Sequence, residues 1–410
     1  MAPAPCYAAG MAPAAAERIR TLIAEALPSL VELRHDLHMH PELGYEEHRT
    51  AEAVRRELSA CGVEFVPGMA GGTGTLAHLP GAAAEAIGLR ADMDALPITE
   101  EGQQPWRSRS PGRMHACGHD GHTTILIGAA RVLSRLSREG GLPRPVTLVF
   151  QPAEEGGAGG QRMVKEGALD GSRLGPRVRE IFALHGWPQF RLGSVGTRVG
   201  PMLAASDRFD IRVEGSGGHA AWPHATRDPV PAACAIVSAL QTIVSRNAYA
   251  ADPAVLSVTV VHAGTAFNVI PSVAEIKGTV RTLTSETRAL IERRIGEVAA
   301  GVAMAHGCTA SVSYRHGYPI TSNHPEAVAT FEAVARGTVG EDLVRTVPHP
   351  VMVGEDFAYY GMEIPACFFA LGLCRPDRTS MPDLHQPDFD FVDEAIPLGI
   401  ELFCRLALRP

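Results

Sequence analysis

The chain has 410 residues, 45% of them hydrophobic and 20% charged, enough apolar material for more than one buried core and too much for a disordered polymer. Lys and Arg number 37 against 45 Asp and Glu, a formal net charge of −8 with no dense basic run, which argues against nucleic acid or an anionic membrane as partner. Eight cysteines are scattered without a CxxC pair, as expected of thiols in a reducing compartment, and no run of about 18 apolar residues marks a membrane span, so the expected location is the cytoplasm.

Residues 1–16 are rich in Ala and Pro and lack a basic start and a signal-length apolar core; they read as a disordered extension, with Met11 as an alternative start to Met1. From Glu17 to Leu37 the residues Ile19, Leu22, Ile23, Leu30, Leu33 and Leu37 recur at helical steps, with Pro28 expected to bend or interrupt the helix. A second helix fits Glu47 to Ala60, stopped by Gly62. Apolar runs at Thr73 to Leu79, Ala86 to Arg90, Val146 to Phe150 and Ile181 to Leu184 predict buried strands of an α/β sheet, and a helix is expected from Ile125 onward. From about Pro201 to Arg315 the pattern changes. Phe209, Ile211 and Val213 alternate, helices fit Asp228 to Arg246 and Glu286 to Ala305, and strands fit Val255 to His262, Glu275 to Leu283 and Thr309 to Tyr314. That β-α-β-β-α-β order is the one a ferredoxin-like unit has. Because α/β segments return after His316, the first domain is expected to be discontinuous, 17–200 with 316–410, around an inserted domain at 201–315.

The run His115 to His122 puts a thiol, three imidazoles and a carboxylate into eight residues. Cys117 and His119 flank Gly118, whose backbone freedom lets both side chains reach one centre; the alternative is a buried free cysteine beside a His-rich turn. Asp92 and Asp94 follow one predicted strand and Glu154-Glu155 another, the end of the sheet where ligands bind in open α/β folds. Neighbouring side chains in extended backbone diverge, so one glutamate can hold a metal while the other faces a water as general base, or both can decorate an exposed acidic turn. The glycines from Gly156 to Gly160 lack the Lys-Ser/Thr ending of a phosphate loop. His185 ends a predicted strand and His385 lies near the other end of the chain; each alone is an ordinary histidine, but together they supply imidazoles from distant points of one sheet domain. Thiolate, imidazole and carboxylate are the side chains that hold zinc and its first-row neighbours, which points to a metalloenzyme.

Arg34 to His38, His40-Pro41-Glu42-Leu43-Gly44, Arg90 to Pro97, Met114 to His122, Gln151 to Glu155, Gly354 to Ala358 and Leu384 to Phe389 together resemble the metal-dependent amidohydrolases. That family includes hippurate hydrolases, N-acyl-amino-acid hydrolases and hydrolases of indole-acetyl amino-acid conjugates, and the resemblance runs from about Glu17 to the C-terminus. It implies a mixed-sheet α/β catalytic domain of the aminopeptidase/carboxypeptidase kind, with an inserted ferredoxin-like α+β domain serving as lid and dimer contact. It also implies two divalent ions per subunit (zinc, manganese, cobalt or nickel) held by Cys117, His119, Glu155, His185 and His385, with Glu154 as general base. By the same resemblance His219 stabilises the developing oxyanion, Asn268 and Arg281 hold the substrate carbonyl or carboxylate, and Asp92 and Asp94 support the site. The implied protein is a homodimer, with a tetramer as the alternative. The expected reaction cleaves an N-acyl amino acid to a carboxylic acid and a free amino acid. The alternatives are a dipeptidase or another deacylase of the same clan, and a non-catalytic metal-binding protein. Glu154 beside Glu155 speaks against the last, because a structural zinc site closes its coordination sphere and needs no adjacent base.

Overall fold

Every residue of the strands Ala86–Asp92, Val146–Gln151 and Ala366–Cys374 is buried, as a sheet covered on both faces requires. They lie in a mixed sheet of eight strands, ordered Glu64–Met69, Gly74–Leu79, Val146–Gln151, Ala86–Asp92, Val178–Arg191, Ala366–Cys374, Val195–Thr197 and Val344–Thr346. The four strands from Val146–Gln151 to Ala366–Cys374 run parallel, and antiparallel pairs flank them. The computed structural model describes residues 13–409, and the chain in it forms two units. The sheet belongs to the first, which among the described residues comprises the chain up to Met202 with Ser322–Pro348 and the segment from Asp356 onward.

Helices Pro13–Met39, His119–Gly140 and Ile396–Leu408 pack on one another and share one apolar core with the strands, through residues such as Leu30, Ile125, Phe369 and Phe403. The first helix begins earlier than the sequence predicts: Pro13–Ala16, assigned to a disordered extension, are helical, and Ala16 is buried. Proline at the first helical position gives up an amide that would have no partner there anyway. Residues 1–12, with the choice between Met1 and Met11, fall outside the described residues. The helix also runs through Pro28 without a break, because Leu30, Leu33 and Leu37 are buried beyond it and outweigh one lost backbone bond.

The second unit comprises Leu203–Thr321 and His349–Glu355. Residues 316–321 and 349–355 go with it, not with the first unit as the sequence reading had them, because Leu203 bridges Val351 and the Ser206 amide donates to the Tyr318 carbonyl. Its antiparallel sheet is ordered Ala254–Ala263, Val273–Thr282, Ala205–Glu214 and Thr309–Arg315. Helices Pro229–Arg246 and Ser285–Ala305 pack against it and each other, giving the chain order strand, helix, strand, strand, helix, strand. Pro229–Arg246 is long and apolar enough to cross a membrane, but its Ala232, Ala233, Ile236, Leu240 and Ile243 are buried in this unit's core.

Candidate metal centre

Gly118 precedes the helix His119–Gly140 with φ 88°, a left-handed conformation that suits glycine, and a Cβ there would meet Phe391 at 3.0 Å. This bend turns both Cys117 and His119 into the interior. Asp120, in the first turn of the helix, accepts from Arg34 Nε at 3.0 Å and lies 2.8 Å from His38 Nδ1. Burial pushes the His38 imidazole down, but the Asp120 carboxylate and a hydrogen bond with Glu100 outweigh it and carry its pKa up to about 9. A buried cluster of opposite charges therefore pins the turn that carries Cys117 and His119 to the first helix.

His119 Nδ1 lies 3.3 Å from Asp94 Oδ1, while its Nε2 is buried without a hydrogen-bond partner. His185 sits within the strand Val178–Arg191 rather than at its end; its Nδ1 donates to the Gly186 carbonyl at 2.8 Å and its Nε2 is 3.4 Å from Cys117 Sγ. Burial and the neighbouring His122 hold the His185 imidazole well below its ordinary pKa, so it is neutral, the form that binds a cation. The Cys117 thiol is pushed well up by burial and by Glu155 and Glu154, so a thiolate here requires a cation beside it. His385 has φ 65°, unusual for a residue with a side chain; its amide donates to the Ala116 carbonyl at 2.7 Å and its Nε2 lies 3.2 Å from Glu155 Oε1.

All five ligand candidates are thus brought together. Donor atoms of Cys117, His119 and His185 lie within 4.8 Å of one another, and so do those of Cys117, Glu155 and His385, the two groups sharing Cys117. One sulfur, three imidazoles and a carboxylate, among them a buried nitrogen, His119 Nε2, that makes no hydrogen bond, are a donor set that fits divalent transition-metal ions. Glu154 is buried beside this set, within the same reach of Glu155 and His119.

Asp94 does more than face His119: its Oδ1 and Oδ2 accept the amides of Glu154 and Glu155 at 3.0 and 2.8 Å. Asp92 ends its strand with Oδ1 2.7 Å from His122 Nδ1 and Oδ2 accepting from Arg90 Nη1 at 2.7 Å. The Gly186 amide donates to His122 Nε2 at 2.8 Å, which leaves the ring proton on Nδ1 for Asp92. Arg90, fully buried, also reaches Gln151 Oε1 at 2.9 Å and Asp356 Oδ1 at 3.0 Å, and the Asp356 amide donates to Glu154 Oε1 at 3.3 Å. His122, Arg90, Gln151 and Asp356 received no role from sequence reasoning. An arginine inside a strand whose other residues before Asp92 are apolar or small was the available signal, since a buried guanidinium demands partners.

His219, Asn268 and Arg281 lie in the second unit. The strand Gly218–His219 pairs with Val269–Ile270, the Ala220 amide donates to the Asn268 carbonyl at 3.1 Å, and His219 Nδ1 accepts from the Ala221 amide at 3.0 Å. His219 and Asn268 are therefore neighbours, both exposed. Arg281 is not with them: it is at the far end of the strand Val273–Thr282, roughly 27 Å along, half-buried and bonded to Thr279 Oγ1 and to the Val280 carbonyl at 3.1 Å.

The chain is 39% identical over 390 residues to the IAA-amino acid hydrolase ILR1-like 4 of Arabidopsis thaliana, covering 93% of this chain and 85% of that one. It is 38% identical over 381 residues to the N-acetylcysteine deacetylase of Bacillus subtilis strain 168, covering 92% and 96%. A crystal structure of a Bacillus subtilis protein described as a dinuclear metal binding peptidase from the M20 family is similar with a TM-score of 0.79 at 34% identity, over 95% of this chain and 98% of that one. The model of the peptidase family M20/M25/M40 matches residues 88–409, the stretch that carries all five gathered donor residues, and this chain belongs to that family.

Proposed function

We propose that this protein is a metal-dependent amidohydrolase that cleaves N-acyl amino acids to a carboxylic acid and a free amino acid. The observation that carries the reading is a buried carboxylate, Glu154, within reach of His119 and Glu155 beside the gathered metal donors. The relatives named for hydrolysing an indole-acetyl amino acid and an acetylated cysteine act on this kind of bond. Cys117, His119, Glu155, His185 and His385 would hold two divalent ions, with zinc, manganese, cobalt and nickel all compatible with the donors. When bound, such ions polarise the scissile carbonyl and make water acidic enough to deprotonate near neutral pH.

Glu154 takes a proton from the attacking water as the new C–O bond forms and the carbonyl becomes a tetrahedral oxyanion; it then delivers that proton to the amine nitrogen, and the C–N bond breaks as the carbonyl re-forms. Its Oε1 is oriented by the Asp356 amide, and Asp94 fixes the turn on which it stands. A base fixed in this way loses little entropy on reaching the transition state. His219 stabilises the negative charge growing on the carbonyl oxygen, Asn268 binds the carbonyl, and Arg281, whose planar guanidinium suits a carboxylate, binds the substrate's carboxylate; because Arg281 lies far along its strand from His219 and Asn268, the two sets would reach one substrate from different subunits of a dimer. The second unit would act as lid and dimer contact. The seven described cysteines all carry free thiols, which agrees with a cytoplasmic enzyme.

The test is a panel of benzoyl, acetyl and indole-acetyl amino acids incubated with protein of known metal content. Release of free amino acid from at least one, abolished by chelation and restored by metal, is the expected result. No cleavage of any member by fully loaded protein would overturn the reading.

A further inference from the structure

The turn that carries Glu154 and Glu155 is held by three successive amides, each donating to a buried carboxylate. Those of Glu154 and Glu155 go to Asp94; the amide of Ala153 donates to Glu47 Oε1 at 2.8 Å. Ala153 is fully buried with φ 53°, the left-handed region that a residue with a Cβ enters only at a cost. A side chain at Gly44 would come within 3.1 Å of the Ala153 Cβ, so the segment before Glu47 is shaped to let this strained residue in.

Glu47 stands at the N-cap of the helix His48–Ala60, yet its side chain does not cap that helix. The amides of Arg49 and Thr50 are taken instead by Glu42, at 3.0 and 2.8 Å. Glu47 is thereby free to turn inward, where it is fully buried and its Oε2 accepts the Thr73 hydroxyl at 2.8 Å. Among the described residues no cationic side chain pairs with it. A buried carboxylate without a cation is costly, and neither the helix nor an ion pair accounts for this one. What it does hold is the strained backbone next to the base.

We propose that Glu47 is a positioning residue of the hydrolytic site, acting through left-handed Ala153 to aim the carboxylates of Glu154 and Glu155. The inference rests on the reading of Glu154 as base. Without the acceptor at Glu47, Ala153 can relax to ordinary φ, which rotates the following peptide and displaces both carboxylates, and misplacement by about 1 Å costs on the order of a hundredfold in rate.

The test is a double-mutant cycle on metal-loaded protein, with kcat, KM, metal content and melting temperature read for each variant. Glu47→Met fills the same volume without an acceptor, and is expected to lower kcat about ten- to a hundredfold with KM changed less than about threefold. Glu47→Gln keeps the acceptor for the Ala153 amide and should stay within about threefold of the parent kcat. Ala153→Gly removes the cost of the left-handed backbone, so adding Glu47→Met to it should cost only a few-fold. Equal losses in both backgrounds would overturn the proposal, as would a Glu47→Gln variant that loses tenfold or more, an outcome readable even if Glu47→Met fails to fold. Glu154→Gln is run alongside. If it is nearly inactive and the cycle is additive, the positioning role alone falls; if it turns over normally, the base assignment falls and takes this inference with it.

Discussion

In the first unit Asp92, Asp94, His119 and His122 are buried, and each is fixed by partners from other elements of the same sheet domain. In the second unit His219 lies on an exposed strand of two residues and receives a hydrogen bond from Ala221, two positions along the chain. The contrast separates two kinds of functional residue. Groups that must hold charge in a fixed geometry are built into a network whose burial strengthens every contact, at the cost of leaving costly orphans if one member is lost. His219, which meets the substrate in the reaction proposed above, is at the surface, where local bonds suffice and its removal need not disturb the fold.

Four variants break or sharpen that comparison. Glu154→Gln should leave a folded, metal-loaded protein with kcat reduced about a thousandfold or more, the upper range for loss of a general base; steady-state kinetics with metal analysis would show it. Arg90→Met leaves Asp92 and Asp356 buried without their guanidinium and should destabilise the first unit by about 3 to 5 kcal/mol, read as a lower midpoint in denaturant. His219→Ala should do the opposite: about a hundredfold lower kcat at an unchanged melting temperature. A melting temperature that falls with His219→Ala as it does with Arg90→Met would erase the distinction between the units.

The smallest effect concerns pH. Burial, reinforced by the charge of Asp94, raises the Glu47 carboxyl from 4.5 to about 7. The folded state then binds the Glu47 proton more tightly than the unfolded state does, so this group's contribution is fully favourable below about pH 4.5 and is lost as pH rises toward 7. Glu47→Gln cannot ionise. Its stability relative to the parent should therefore increase by about 3 kcal/mol between those limits and stay level above them, as a series of melts across pH would record. A difference that does not vary with pH would contradict the assignment.

That Cys117, His119, Glu155, His185 and His385 gather was legible because thiol, imidazole and carboxylate groups rarely crowd together for packing reasons, and because Glu155 follows, and His185 lies in, strands that must be buried. The alternating pattern of Phe209, Ile211 and Val213 gave away its strand for the same kind of reason. What stayed hidden depends on contacts between remote segments or on single backbone angles. Nothing in the letters around Ala153 announces a left-handed residue, so Glu47 and the second task of Asp94 were invisible. Arg90 was readable only as an oddity, since its partner Asp356 lies far along the chain. The transfer of residues 349–355 to the second unit goes with the bridge of Leu203 to Val351 and the bonds of the Ala204 amide to the carbonyls of Val351 and Val353, which no local pattern encodes.

Within the large sheet, Val178–Arg191 lies directly beside Ala366–Cys374, with Ile181 opposite Ala366, although the chain of the whole second unit runs between them. Joining two strands across so long a flexible tether is entropically unfavourable and slow, and a tether already collapsed into its own core shortens the search. Assembly is thereby given a direction. The intervening segment gains by folding first, and a substitution that loosens its core, far from any reacting atom, should delay closure of the sheet that carries the candidate metal donors.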